Sequence, residues 1–469
     1  DKAKAAIEAA FVERGWIASH SSALRCTNLR QDILRSELTS SERGGVMIAV
    51  FVIGALASAD WAPVQSLMDR FAFLPKMAFT AGTTSGRAHT YTKGGFTMST
   101  RNVMASASKF PAALAVAGAV QAKHLGFDTP AHAVFPWWTA DPADNRSAVT
   151  LRHLLTLTSG LVSDDFSSCG MPCLDLTPPP LGNATKYTPE ECAREIYDRG
   201  PWRASPGEVW SYHSLHLQLA GAMAAKAAKM TVGELLDTFL LRKLQMNSSF
   251  WLWQKTNPHL AAMLVSTGDD YDRLLNAVLG YRGWSKAVLT EMEADAYTTY
   301  PALVAAKNVK DLGLKFYGHY SMCLYFECVA QPWSQACERA AVHADPGAFG
   351  YWPLINREKN YYLQLVVSRL VALPQWALKL FHIHKSDVAA LPAECVAPLR
   401  FSLTAPVEKA LGLPGTPMPP PDLPLNLSVI CAIAAHYHPL EAEVPAEAAV
   451  PVGEAEGEAA LLGRLRSMF

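Results

Sequence analysis

Ser106-Ala-Ser-Lys-Phe-Pro-Ala-Ala-Leu-Ala-Val-Ala-Gly-Ala-Val-Gln-Ala-Lys123 is the stretch that decides the fold. From residue 109 onward it is almost entirely Ala, Val, Leu, Gly and Phe, rich in helix formers and without a polar face. A helix of that kind is stable only when enclosed on all sides, so a large domain must wrap it. Pro111 falls in or near the first turn, where its missing N–H is tolerated. Ser106 and Lys109, three residues apart, share one face at the helix head, which sets an amine beside a hydroxyl. A desolvated lysine in that place gives up its proton and serves as a base, while the helix N-terminus offers backbone N–H groups where an oxyanion would form. This is the single Ser-x-x-Lys of the chain; the plainer alternative is a lysine on a helix surface.

The surrounding composition fits an enclosed helix. A chain of 469 residues, 50% hydrophobic and 18% charged, is globular, with room for one large domain or two ordinary ones. A formal net charge of -1 leaves no excess positive field, so neither nucleic acid nor an anionic membrane surface is an expected partner. Phe79-Thr-Ala-Gly and Ala88-His-Thr-Tyr-Thr, parted by glycines, read as a strand hairpin. Residues 150–157 and 215–229 have helical periodicity, 342–353 and 361–368 read as two strands joined by a polar turn at 356–360, and a last helix is expected near 377–381. Strand pairs at both ends of a helical middle describe an α+β fold, an antiparallel sheet flanked by helices with a mostly helical subdomain.

Two further segments carry chemistry. In Ser205-Pro-Gly-Glu-Val-Trp-Ser-Tyr-His-Ser214 a Pro-Gly turn delivers Tyr212 at a loop-to-helix junction. A lysine ammonium nearby favours a phenolate, which would accept the Ser106 proton and return it to a leaving group; the alternative is a core tyrosine with a satisfied hydroxyl. Val342-His-Ala-Asp-Pro-Gly-Ala-Phe-Gly-Tyr-Trp352 is a strand edge opened by Gly347 and Gly350, suited to supply a second oxyanion donor. His343 and Asp345, two apart, face the same way if the strand continues through them.

Taken in order, these three segments resemble the serine β-lactamase and penicillin-binding-protein superfamily, and within it the class C-like branch of esterases, aminopeptidases and carboxypeptidases. Thr150-Leu-Arg-His-Leu-Leu-Thr-Leu-Thr-Ser-Gly-Leu161 resembles that branch's helix and turn downstream of the nucleophile, and the segment 260–275 its later stretch behind the site. The resemblance runs from Phe79 to Phe381. It implies that Ser106 is the acylated nucleophile, Lys109 its partner base and Tyr212 the phenol of a Tyr-x-Asn motif, with Ser214 where Asn is usual. The third motif, Lys-Thr-Gly or His-x-Gly in the family, fits poorly. With His343 as the His, the oxyanion donor falls on Pro346, which has no N–H. Shifting by two makes Asp345-Pro346-Gly347 the motif and Ala348 the donor, so Gly347 and Ala348 are expected at the oxyanion hole with His343 still reaching the cleft. The missing cation argues against a true antibiotic-resistance enzyme.

The expected activity is acyl-serine hydrolysis of a small ester, amide or short peptide, with no cofactor. The rival is a catalytically inactive relative serving as a binding or assembly module. His213-x-x-His216, His382-x-His384 and His436-x-His438 have ligand-like spacing but no acidic third ligand, so no metal is expected. A Gly-x-Ser-x-Gly elbow and a phosphate-binding glycine loop are both missing.

The apolar run from Val46 to Ala57-Ser-Ala59 reads as a signal peptide, too short for a membrane span. The expected organisation is an upstream segment 1–46 outside the mature fold, a signal peptide at 47–59, a hydrolase domain at 60–412 and a Pro/Ala/Glu-rich tail at 413–469. Cys169, Cys173 and Cys192 bracket one loop and Cys323, Cys328 and Cys337 another, so one disulfide within each group is expected, as is secretion. Sequons at Asn145, Asn183, Asn247 and Asn426 suit a glycoprotein. N-terminal sequencing of secreted protein is expected to begin at Asp60; residues upstream of it would refute the cleavage site.

Overall fold

A computed structural model describes residues 59–163, 171–174, 186–252, 254–306, 317–328, 333–367, 369–370, 391–416, 425–436 and 440–441. The expected helix at 377–381, Cys169, Asn183, His382, His384 and His438 lie outside them. Trp61–Phe469 is one compact unit.

Its backbone is an antiparallel sheet of seven strands in the order β2-β1-β12-β11-β10-β9-β8. These are β1 (Met77–Thr83), β2 (Gly86–Lys93), β8 (Tyr317–Tyr320), β9 (Tyr325–Glu327), β10 (Val342–Ala344), β11 (Trp352–Asn356) and β12 (Tyr361–Val366). β1 and β2 are the expected hairpin. A second antiparallel sheet runs β3 (Arg101–Val103), β6 (Leu264–Thr267), β5 (Phe250–Trp251), and β4 (Val209–Trp210) pairs in parallel with β7 (Val304–Ala305). β13 (Arg369–Leu370) pairs with β14 (Leu440–Glu441). The helices that matter here are α1 (Lys109–Gln121), α2 (Pro189–Arg199), α3 (Leu215–Ala228), α4 (Gly268–Leu279), α5 (Leu391–Ala410) and α6 (Leu425–His436). The fold is α+β, as expected.

β11 and β12 are buried along their whole length, so their sequences read as apolar runs rather than alternating patterns. One face carries Thr80 and Gln364, which hydrogen-bond Asp272 and the Gly268 carbonyl of α4 at 3.2 and 2.8 Å. The other face carries Trp352, whose ring meets Phe401 of α5 edge-on. The sheet is thus held between α4 and α5. Helix α1 is buried from Lys109 to Ala119, as its composition requires. It packs against α3 and against the helical turn Asp237–Leu241, where a side chain on Gly118 would stand 2.5 Å from Phe239 Cβ.

The expected strand 342–353 is broken in two. Pro346 has no ladder donor, Gly350 adopts φ +91°, and the Gly347 N–H turns back to the Tyr351 carbonyl at 2.8 Å, so the chain leaves the sheet at Asp345 and re-enters at Trp352. Cys173–Cys192 and Cys328–Cys337 fall one in each expected group, and Cys395–Cys431 adds a link between α5 and α6; Cys323 is buried and free. Helix α6 lies inside the Pro/Ala/Glu-rich tail expected at 413–469, on the apolar stretch Leu425-Asn-Leu-Ser-Val-Ile-Cys-Ala-Ile-Ala-Ala-His436. Among the described residues no helix is long and apolar enough to cross a membrane.

Helix α5 is fastened to the sheet by a buried ion pair. Arg400 Nη2 donates to Glu327 Oε2 at 2.7 Å, and Trp352 Nε1 donates to the other oxygen at 2.8 Å. Burial pushes the Glu327 carboxyl up while Arg400 and the indole hold it down. Arg400→Met strands that carboxyl in the core and is expected to cost about 3–5 kcal/mol. Urea denaturation of the disulfide-intact protein checks this; a loss under ~1 kcal/mol would show that the pair holds nothing.

Candidate active site

The turn that carries Ser106 is built from the second sheet. Met104 extends the ladder of β3, its N–H donating to the Leu264 carbonyl at 2.9 Å, and the chain then tightens into a single 3-10 turn, Ala105–Ser108. Ala105 sits at φ +47°, a left-handed conformation that costs a non-glycine residue about 1 kcal/mol or more. Neighbours hold it there. The Ser108 hydroxyl donates to the Ala105 carbonyl at 2.6 Å and accepts from the Leu264 N–H at 3.0 Å, and Tyr271 donates to the Ala107 carbonyl at 2.9 Å. These ties leave Ser106 partly exposed at the apex.

Lys109 follows as the first residue of α1 and is 2% exposed. Its Nζ donates to Ser106 Oγ and to the Ala261 carbonyl, each at 3.0 Å, and stands 4.6 Å from the centroid of the Tyr212 ring. The ammonium therefore faces the π-cloud of Tyr212 as well as the serine hydroxyl. Tyr212 is buried against Tyr325 and Tyr320, with ring centroids 5.7 and 6.3 Å away.

The loop carrying Tyr212 is braced by the segment 157–163. The Ser211 N–H donates to the Leu157 carbonyl at 3.1 Å, and His216 bridges Ser159 Oγ at 2.9 Å and the Ser211 carbonyl at 3.0 Å. Both nitrogens of His216 are spent on these bonds, and His213 stacks on it at 4.1 Å. That pair is a brace for the Tyr212 loop. Ser214 is buried at the head of α3 and makes no side-chain capping bond.

The third segment meets the turn through Gly347. A side chain there would stand 2.2 Å from the Met104 carbonyl and 3.4 Å from the Ala107 nitrogen, so the loop is pressed onto the nucleophile turn where only glycine fits. The Gly347 N–H is committed to the Tyr351 carbonyl, and Ala348 beside it is partly exposed. Asp345 also arrives here: its Oδ2 accepts the Phe110 N–H at 2.9 Å.

His343 does not join the group. The register pairs His343 with Phe326 and Ala344 with Tyr325, so His343 projects from the face opposite Tyr325, whose ring meets Tyr212. It is buried against Phe326, with Glu293 3.9 Å away, and among the described residues no hydrogen bond or ring contact joins it to Ser106, Lys109 or Tyr212. Burial pushes its imidazole down to about 4. The expectation that His343 reaches the cleft assumed a strand running through Asp345, and the strand stops at Ala344.

The sequence reading passed over three residues. Ala261 and Tyr271 lie in the 260–275 segment, which does stand behind the turn; the first acts through a backbone carbonyl that no side-chain pattern reveals. His259 is 2% exposed, with neither ring nitrogen partnered among the described residues, and its imidazole is pushed down to about 4, chiefly by burial and then by the Lys109 charge.

A family model described as Beta-lactamase matches residues 31–378. The chain belongs to the beta-lactamase family. The match starts upstream of Phe79, inside the segment expected to lie outside the mature fold. No curated protein sequence matches significantly. Among solved structures, a candidate beta-lactamase from Bacteroides dorei superposes with TM-score 0.53 at 24% identity, over 66% of this chain and 91% of that one. The octameric penicillin-binding protein homologue from Pyrococcus abyssi gives TM-score 0.53 at 16% identity, over 76% and 78%. EstCE1, a hydrolase with promiscuous acyltransferase activity, gives TM-score 0.50 at 13% identity, over 66% and 93%. These likenesses show the beta-lactamase/transpeptidase-like fold, and the family is one of hydrolases.

Gly347→Ala is expected to push the loop off the Met104 carbonyl and to slow covalent labelling of Ser106 by about 100-fold, the scale of a 1 Å misplacement. Labelling kinetics on folded variant protein check this; an unchanged rate would show that the loop's approach is not needed.

Proposed function

We propose that this beta-lactamase-family chain is a secreted acyl-serine hydrolase of the class C-like branch, acting on a small ester, amide or short peptide. The Ser106–Lys109 hydrogen bond at 3.0 Å, beside Tyr212 on a turn held open at Ser106, carries the reading.

In acylation the Lys109–Tyr212 pair starts one proton short of ammonium plus phenol, so that Ser106 Oγ attacks the carbonyl carbon and its proton passes to that pair. Backbone N–H groups of Ser106 and Ala348 receive the oxyanion. The tetrahedral adduct then expels the alcohol or amine, which takes the proton from the pair, leaving an ester on Ser106. Water attacks that ester, gives a proton to the same pair, and releases the acid with Ser106 restored. Every step uses groups of the chain itself. Secretion rests on the apolar run ending at Ala59 and on three disulfides, which suit an oxidising compartment. The family match from residue 31 runs against discarding everything before Asp60, which makes the N-terminus of secreted protein decisive.

The test is to incubate wild type and Ser106→Ala with a fluorophosphonate and a p-nitrophenyl ester, reading intact mass and absorbance together. One adduct on wild type alone, with ester turnover lost in the variant, is expected. Lys109→Met and Tyr212→Phe should each lower kcat by about 10²–10⁴. Folded wild type that takes no adduct would favour the binding-module reading.

A further inference from the structure

Asp345 is used by nothing in the mechanism above, yet it lies at the junction of its two halves. It sits two residues before Gly347, which abuts the Met104 carbonyl, while its own Oδ2 accepts the Phe110 N–H of the first turn of α1 at 2.9 Å. Asp345 and Gly347 thus grip the nucleophile turn from its two ends. The carboxyl is 1% exposed, and its Oδ1 is buried with no partner among the described residues.

We propose that Asp345 is a positioning residue of this site, tying the loop that presents the Ala348 amide to the helix that presents Ser106 and Lys109. The proposal rests on the acyl-serine reading.

The state of the carboxyl follows from its surroundings. Burial pushes it up to about 8, against the Phe110 N–H and the Lys109 charge, which hold it down. The titratable groups that feel it are Lys109 on α1, Tyr271 on α4, and Tyr320 and Cys323 at the β8–β9 hairpin. At neutral pH Asp345 is therefore mainly the acid, and its Oδ2 ties the loop without setting a negative charge beside the oxyanion. Above pH 8 the carboxylate opposes the developing oxyanion, which slows acylation.

Stability has the matching sign. A carboxyl raised in the folded state leaves stability unaltered below the unfolded value of about 4, erodes it as pH rises from about 4 to 8, and adds nothing further above that.

The experiment compares wild type, D345A and D345N for p-nitrophenyl ester kinetics and fluorophosphonate labelling from pH 5 to 10, and for urea midpoints from pH 4 to 9. D345A is expected to lose about 100-fold in kcat with little change in KM. D345N, whose amide oxygen still accepts from Phe110, should recover most of that loss and should lack the fall in kcat/KM that wild type shows above pH 8. Its urea midpoint should exceed that of wild type by a margin that grows between pH 4 and 8. D345A with wild-type kcat overturns the tether. Should D345A fail to fold, D345N decides the matter: the same pH profile and midpoint as wild type overturn the proposal. A wild type without adduct sinks the acyl-serine reading and the catalytic role together, and the urea comparison still judges the carboxyl's state separately.

Discussion

Burying Lys109 is the constraint on which the rest of the site depends. An ammonium removed from water is costly unless its hydrogens find acceptors, and among the described residues none of its contacts is a direct salt bridge. The Ser106 hydroxyl, the Ala261 carbonyl and the Tyr212 ring share the task. Each partner is fixed from behind. Gln218 of α3 grips the 257–260 loop, with Nε2 donating to Asn257 Oδ1 and the Pro258 carbonyl at 2.8 and 3.1 Å, and Asn257 donates in turn to the Cys173 carbonyl at 2.8 Å. Because Cys173 is bonded to Cys192 of α2, the carbonyl that holds the lysine is anchored to a covalent crosslink.

The same logic explains the strain at Ala105. A partly exposed serine directly ahead of a helix buried from Lys109 to Ala119 needs a turn tighter than a helix allows, and one left-handed residue supplies it. Ser108 and Tyr271 each contribute a hydrogen bond whose partner is a backbone group the tight turn would otherwise leave unpaired. Strain at Ala105 is thus offset by side chains whose own place is set by β6 and α4.

Local features were the legible ones. The composition of residues 109–123 dictates a buried helix, and three-residue spacing sets Lys109 by Ser106 whatever encloses them. The β1–β2 hairpin is written in its glycines, and the disulfides closing short loops lie within their cysteine clusters. What escaped depends on distant chain. Cys395 and Cys431, 36 residues apart, join two helices, and α6 is helical inside the stretch read as a Pro/Ala/Glu-rich tail. Ala261 and Tyr271 act across more than 150 residues. The strand break at Asp345 had a visible signal in Pro346, which had already ruled out the His343 register; carrying the same missing N–H one step further would have ended the strand there.

The altered third segment is the sharpest departure from the family pattern, and the geometry shows what stands in its place. A fixed cation at that position would have to coexist with buried Lys109 in a medium that screens little. Here a carboxyl pushed up by burial takes the place, and the nearby His259 is pushed down. Both shifts favour the uncharged form at neutral pH. What stands beside Ser106 among the described residues is then backbone dipoles and Lys109, and these owe their position to the packing of α1 rather than to a network of paired charges.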